Sequence, residues 1–217
     1  MVNFIENIGG ETGLPVGIKS AIGEKAFWHE LADTMASTGK GPDFITVDGG
    51  EGGTGAAPLP FSDHVALPFR HGFAEVYRAF AERGLHERIV FLGAGKLGLP
   101  TEAMVAMAMG ADGIGVAREA MLSIGCVQAQ KCHDDHCPTG VATQNAWLTR
   151  GLDPTNKSVR FANYVSSLRH ELIRLSNAMG AEHPSLVNPD NVEIRQSTSE
   201  VVPIRDMYGY DLSLIHI

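Results

Sequence analysis

The chain has 217 residues, a formal net charge of −8, 44% hydrophobic and 19% charged residues, enough to bury a substantial core in one soluble domain. The acidic balance offers no basic face to a phosphate backbone or an anionic lipid surface, so nucleic acid is not an expected partner. No apolar run reaches the roughly 18 residues of a membrane span, and "MVNFIENIGG" lacks the basic flank and apolar core of a secretion signal. Three clustered cysteines are a poor disulfide framework and suit ligation in a reducing compartment, so a cytoplasmic location is expected.

In chain order, "MVNFIENIGGETG" reads as a helix tail, as though the chain started midway through a larger domain. One unit then recurs: a short β-branched run, a glycine-rich turn and an amphipathic helical pattern. "LPVGIKSAIG" leads into "EKAFWHELADTMASTG", where Phe27, Leu31 and Met35 recur every four residues and Gly39 is the helix stop. "DFITVDGGEGGTGAAP" leads into "HGFAEVYRAFAERG", with Phe73, Val76, Tyr77 and Phe80 on one stripe. "RIVFLGAGKLGLP" leads into "TEAMVAMAMG", with Pro100 in the first helical turn, and "DGIGVAR" leads into "EAMLSIG". A long helix is expected over 157–179, with Tyr164, Val165, Leu168, Leu172 and Leu175 inward. The Pro- and Asn-punctuated tail after Gly180 is expected to pack over the preceding units. The closing "LSLIHI" is an uncapped apolar end, read as a truncation or an artefact.

Strands alternating with helices at this spacing predict a parallel sheet of βα units. Glycines follow each strand-like run, where carboxyl-end loops build the site of a (β/α)8 barrel and a phosphate commonly sits after the last two strands. Four units are half of such a barrel and would leave unpaired edges. An open doubly wound sheet is the competing expectation.

All three cysteines fall in "GCVQAQKCHDDHCPTGVATQ", as Cys126, Cys132 and Cys137 with five and four residues between them. Three thiolates on one loop suit an iron–sulfur cluster with three protein ligands, whereas zinc would recruit His133 or His136 to complete a Cys3His set. Spacing alone leaves both open, beside a plain ordered loop of reduced cysteines. "DGGEGGTGAAP" lets a planar ring or phosphate approach the backbone. "GAGKLGLP" places N–H groups and Lys96 before a helix N-terminus, but it lacks the dinucleotide fingerprint and its later acidic residue. Lys19, at the end of a strand, either faces a cofactor or snorkels at the rim.

Taken together, "ITVDGGEGGTGAAP", "GADGIGVAREAMLSIGC" and CX5C X4 "CPTGVATQ" resemble the FMN-binding synthase domain of glutamate synthase, over about residues 14–180. The resemblance implies a (β/α)8 TIM-barrel fold of which this chain is the C-terminal half, about four βα units, followed by an iron–sulfur loop and C-terminal helices. It divides the chain into a half-barrel over 1–125, a cluster loop over 126–144, and a helical extension over 145–217. It implies FMN at the carboxyl face and a 3Fe-4S cluster held by Cys126, Cys132 and Cys137, with His133 and His136 as bystanders. Lys19 is implied beside flavin and oxo-acid as the catalytic cation, Gly49, Gly52, Gly53 and Thr54 against the flavin ring, and Gly95, Lys96, Ala117 and Arg118 around the phosphate.

The implied reaction is reduction of 2-iminoglutarate, formed from 2-oxoglutarate and ammonia or an amide-derived imine, to glutamate. Electrons would come through the cluster from a separate ferredoxin or reductase subunit, with ammonia possibly from a separate glutaminase, since neither an N-terminal cysteine nucleophile nor an NADPH domain is in this sequence. Two departures weaken the transfer of substrate choice: "GAGK" stands where the family begins with aspartate-glycine-glycine, and Ala117-Arg118 where it has glycine-threonine. The competing expectations are a flavin and iron–sulfur oxidoreductase acting on another imine or oxo-acid, or a non-catalytic electron-transfer subunit.

Overall fold

A computed structural model describes residues 1–52, 60–61 and 64–210 of the chain; the closing "LSLIHI" lies outside them. Four parallel strands, β1 (Gly17–Ala21), β2 (Phe44–Asp48), β3 (Val90–Ala94) and β4 (Gly113–Gly115), form one sheet in the order β1-β2-β3-β4. The register pairs Ala21 with Asp48 and Asp48 with Ala94, so the strands end level. The order follows the chain without reversal and contains no switch point, the feature that defines a doubly wound sheet. The four strands therefore have the order of consecutive barrel strands.

Helices α2 (Ala26–Thr38), α3 (Phe69–Ala81) and α4 (Pro100–Ala108) alternate with the strands. Because side chains alternate across a strand, Ile45, Val47 and Phe91 are buried on the helix side, while Phe44, Thr46 and Leu92 are half-buried and Val90 is exposed on the other. One face is packed and the other is open. The packed face is dominated by aromatics: Phe73 lies 5.3 Å from Phe69 and 6.3 Å from Phe91, and Tyr77 lies 5.1 Å from Phe91, centroid to centroid.

The N-terminal stretch is helical, as its pattern suggests, forming α1 (Val2–Thr12). On α2 the buried stripe is Trp28, Leu31, Ala32 and Met35, with Phe27 37% exposed, a correction of one residue in phase. Gly39 ends α2 at φ 69°, its N–H donating to the Met35 carbonyl. After α5 (Arg118–Ser123) and the cysteine loop, α6 runs Pro154–Ala178. It starts three residues earlier than periodicity indicates, because Asp153 accepts a hydrogen bond from the Thr155 N–H and Pro154 opens the first turn. Leu172 is buried on α6, whereas Val165 is exposed. The tail forms an antiparallel pair, β5 (Glu193–Arg195) and β6 (Val201–Pro203), then α7 (Ile204–Tyr208). Ile204 and Tyr210 enter the main core, so the tail does pack over the βα units. No helix among the described residues is long and apolar enough to cross a membrane.

Candidate functional site

The carboxyl ends of all four strands converge on a cavity of about 430 Å³, lined by Lys19 from β1, Asp48 and Gly52 from β2 and its loop, Ala94, Gly95 and Lys96 after β3, and Gly115 to Arg118 after β4. This volume lies within the ordinary range of small-molecule sites. Lys19 Nζ pairs with Asp48 Oδ2 at 3.0 Å. The backbone forms much of the wall: a Cβ on Gly52 would lie 3.1 Å from the Gly95 Cα, and Gly95 has φ 136°. Lys96 also sits at positive φ, 54°, a conformation uncommon outside glycine and often retained at ligand sites.

Three contacts hold these loops. Both carboxylate oxygens of Glu51 accept from the Phe69 N–H at 2.9 and 2.8 Å, capping α3 where Pro68 provides no side-chain cap. The Arg118 guanidinium reaches the Glu51 carbonyl at 3.5 Å. The Tyr164 hydroxyl of α6 donates to the Gly98 carbonyl at 2.7 Å, tying down the loop after β3. Burial, then the charge of Glu119, raises the Tyr164 pKa, so this hydroxyl keeps its proton and remains a donor.

Of the residues singled out in the sequence, Lys19, Gly52, Gly95, Lys96, Ala117 and Arg118 are brought together around one cavity. Gly49 lies behind the wall: its N–H donates to the Ala94 carbonyl at 2.8 Å, and its Cα faces Phe69. Gly53 and Thr54 lie outside the described residues. Sequence reasoning missed Asp48, Glu51 and Tyr164. Asp48 had a signal, as a carboxylate closing an otherwise apolar strand. A wider groove of about 910 Å³ lies between α1 and the open sheet face, lined by Ile5, Glu6, Phe44, Val90 and Leu92. It gathers none of these motif residues, so the smaller cavity is the better candidate.

The cysteine loop follows α5. Cys126 and Cys132 are half-buried and Cys137 is buried, all three as free thiols. Burial, then the charges of Cys137 and Cys126, raises the Cys132 pKa. Burial also opposes ionisation of Cys137, but the Thr139 hydroxyl and the N–H groups of Ala142, Thr139 and Val141 outweigh it and bring that thiol down to about 7. Among the described residues, no three His, Cys, Asp or Glu side chains are already drawn into one coordination sphere. The donor chemistry nonetheless suits a thiolate-ligated centre: three sulfurs of one loop, one in a cradle of N–H donors. The Asp135 carboxylate closes the loop, accepting from the Thr143 hydroxyl at 2.8 Å and the Gln144 N–H at 2.6 Å. His136 turns toward Asp134, 3.6 Å away.

A parallel βα sheet with its cavity and positive-φ loops at the strand carboxyl ends defines an α/β protein of enzyme type. Residues 5–182 match the family described as "conserved region in glutamate synthase". The chain is 38% identical over 207 residues to the glutamate synthase large subunit-like protein YerD of Bacillus subtilis, covering 95% of this chain and 39% of that protein. It is 31% identical over 204 residues to an archaeal-type glutamate synthase [NADPH] of Thermotoga maritima, covering 94% and 38%. The chain belongs to the glutamate synthase family, and it spans about two-fifths of the length of these relatives. Its fold is also similar to that of a mutant flavocytochrome b2 with benzoylformate, at TM-score 0.53 and 16% identity, covering 88% of this chain and 37% of that one.

Proposed function

We propose that the chain is the C-terminal half of an FMN-binding (β/α)8 domain that reduces 2-iminoglutarate, formed from 2-oxoglutarate and ammonia, to glutamate. The observation that carries this reading is the convergence of Lys19, Gly52, Gly95, Lys96, Ala117 and Arg118 on one strand-end cavity. The residues suit FMN: Lys96 and Arg118 provide cations on adjacent loops for a phosphate, and Gly52 and Gly95 leave backbone open to a ring. Gly53 and Thr54 are proposed as further flavin contacts on the resemblance alone, and Gly49, set behind the cavity wall, as a support of that loop. When bound, FMN supplies the hydride to the imine carbon and a 3Fe-4S cluster on Cys126, Cys132 and Cys137 relays single electrons to it.

The protein's own share is positioning and charge. Lys19 stabilises negative charge on a substrate carboxylate or at the reduced ring, and Asp48 orients it through their ion pair. Glu51 and Tyr164 fix the two loops between which ligands enter. Electrons come from a separate donor, a ferredoxin or a reductase subunit, and ammonia from solution or a separate glutaminase. Relatives described as NADPH-dependent glutamate synthases, and the flavocytochrome with a similar fold, support a flavin oxidoreductase reading. In this assignment residues 1–125 are barrel, 126–144 the cluster loop and 145–217 its helical extension, in a cytoplasmic enzyme.

The test is the flavin, iron and acid-labile sulfide content of anaerobically purified full-length protein, followed by assay with 2-oxoglutarate, ammonia and a low-potential reductant. One FMN, three irons and glutamate formation are expected. Zinc, or no metal, would overturn the cluster assignment, and bound cofactors without glutamate formation would overturn the substrate.

A further inference from the structure

The three sulfurs of the cysteine loop are unequally supported. Cys137 has the Thr139 hydroxyl at 3.5 Å in addition to backbone donors, whereas among the described residues the Cys126 sulfur receives one hydrogen bond, from the Gln128 N–H at 3.4 Å. Gly125, immediately before Cys126, has φ 110°. Its open Cα faces an ammonium: a Cβ built there would lie 2.9 Å from Lys157 Nζ and 3.7 Å from Lys157 Cε. Lys157 stands in the first turns of α6, which packs against α5, so the cation comes from a rigid element outside the loop.

The other charges nearby have partners. Lys131 pairs with Asp134 at 3.5 Å, Asp135 is held by Thr143 and Gln144, and Arg150 lies over the Trp147 ring at 5.1 Å. The Asp153 carboxylate caps α6. Among the described residues, no carboxylate lies within ion-pair distance of Lys157.

We infer that Lys157 is the electrostatic positioning residue of the cysteine loop, setting the reduction potential of a cluster held by Cys126, Cys132 and Cys137 through its ammonium beside Gly125, the residue before Cys126. The inference rests on the cluster assignment above. Reduction adds one electron, and thus one negative charge, to a centre already ligated by three thiolates, with the electron supplied by an external donor. A fixed cation nearby favours the more negative, reduced form and raises the potential. A glycine at position 125 keeps that approach clear.

The experiment is an equilibrium redox titration of full-length protein whose cluster is reconstituted anaerobically with ferrous iron and sulfide, followed by the cluster's EPR signal. Lys157→Gln is expected to lower the reduced-to-oxidised ratio at fixed potential about tenfold, equivalent to about 59 mV for a one-electron couple. Lys157→Glu shifts it further in the same direction, and Lys157→Arg stays within about twofold of wild type. A Lys157→Gln protein that retains iron and titrates with wild type overturns the inference and leaves the cluster assignment standing. Should Lys157→Gln fail to hold iron, Lys157→Arg decides: a wild-type potential supports the inference and a tenfold shift with the charge retained overturns it. Wild-type protein that takes up no iron overturns the cluster assignment, and the inference with it.

Discussion

Lys19 and Asp48 close one wall of the strand-end cavity as an ion pair, Nζ to Oδ2 at 3.0 Å, although their strands pair Lys19 with Thr46 and Ala21 with Asp48. The lysine therefore leans along the strand toward the carboxyl end. Both side chains are partly exposed, so the pair contributes at most about 1 kcal/mol to stability, and its consequence is the placement of the ammonium. Lys19→Met is expected to leave the melting temperature nearly unchanged while lowering turnover with 2-oxoglutarate and ammonia about 10²-fold or more. Parallel thermal melts and steady-state kinetics check this. Loss of stability in step with activity would make Lys19 structural.

Glu51 joins the glycine loop to the start of α3. Glu51→Ala is expected to destabilise the protein by about 1 kcal/mol, the ordinary cost of a lost cap. It should also weaken flavin binding, because the loop whose backbone carbonyl at position 51 accepts from Arg118 loses its side-chain tie to the start of α3. Urea unfolding and flavin fluorescence titration measure the two effects separately.

Phe73 stands between Phe69, Tyr77 and Phe91 and is fully buried. Phe73→Ala removes that ring from the packed face and should cost about 3–5 kcal/mol, whereas Phe73→Leu, which fills more of the space, should cost less. Chemical denaturation gives both values.

Two carboxylates tie the helices together. Asp33 is held below its ordinary 3.8 by its hydrogen bond to Arg83. At Glu75, burial pushes upward, but the hydrogen bond and charge of Lys25, with the charge of Arg78, hold the group below its ordinary 4.5. Because both folded-state values lie below the unfolded ones, their stabilisation is fully present above about pH 5 and is lost as pH falls through the folded values. The Asp33→Asn, Glu75→Gln double variant should therefore show a shallower fall in melting temperature below pH 5 than wild type. Equal slopes would show that neither pair contributes.

The open sheet face predicts association. Val90 is 48% exposed there, beside half-buried Phe44 and Leu92, and two strand edges flank it. The 217-residue chain alone is expected to self-associate or aggregate. A concentration-independent monomer with a cooperative melt, seen by light scattering and calorimetry, would refute this.

The βα units are legible because β2 and β3 are compact apolar runs with glycine close behind, and because aromatics on α3 recur at helical spacing. The stripe on α2 was misplaced by one residue: stepping by four from Phe27 drifts around the helix, whereas Trp28, Leu31, Ala32 and Met35 keep the i, i+3, i+4, i+7 spacing of a single face. The start of α6 is encoded in Asp153-Pro154 and not in the apolar periodicity, which begins later in the helix. Strands β5 and β6 have three residues each, too few for alternation to emerge among Asn and Pro. In the site, residue types that open or charge a loop could be read locally. The Lys19–Asp48 and Tyr164–Gly98 contacts could not, because they depend on strand register and on α6 returning 66 residues later.

The Arg78 guanidinium donates to the Tyr208 carbonyl at 3.0 Å, across 130 residues of chain, and Tyr210 lies 5.8 Å from the Tyr77 ring. During synthesis each strand can pair with the one before it as it leaves the ribosome, since the sheet order follows the chain. The aromatic face of α3 is different: it waits for α7 and Tyr210, which emerge after all four strands. A nascent chain stalled before residue 204 would hold paired strands with Tyr77 less covered, a species for chaperones to shield. The short tail thus acts as a late checkpoint on the fold.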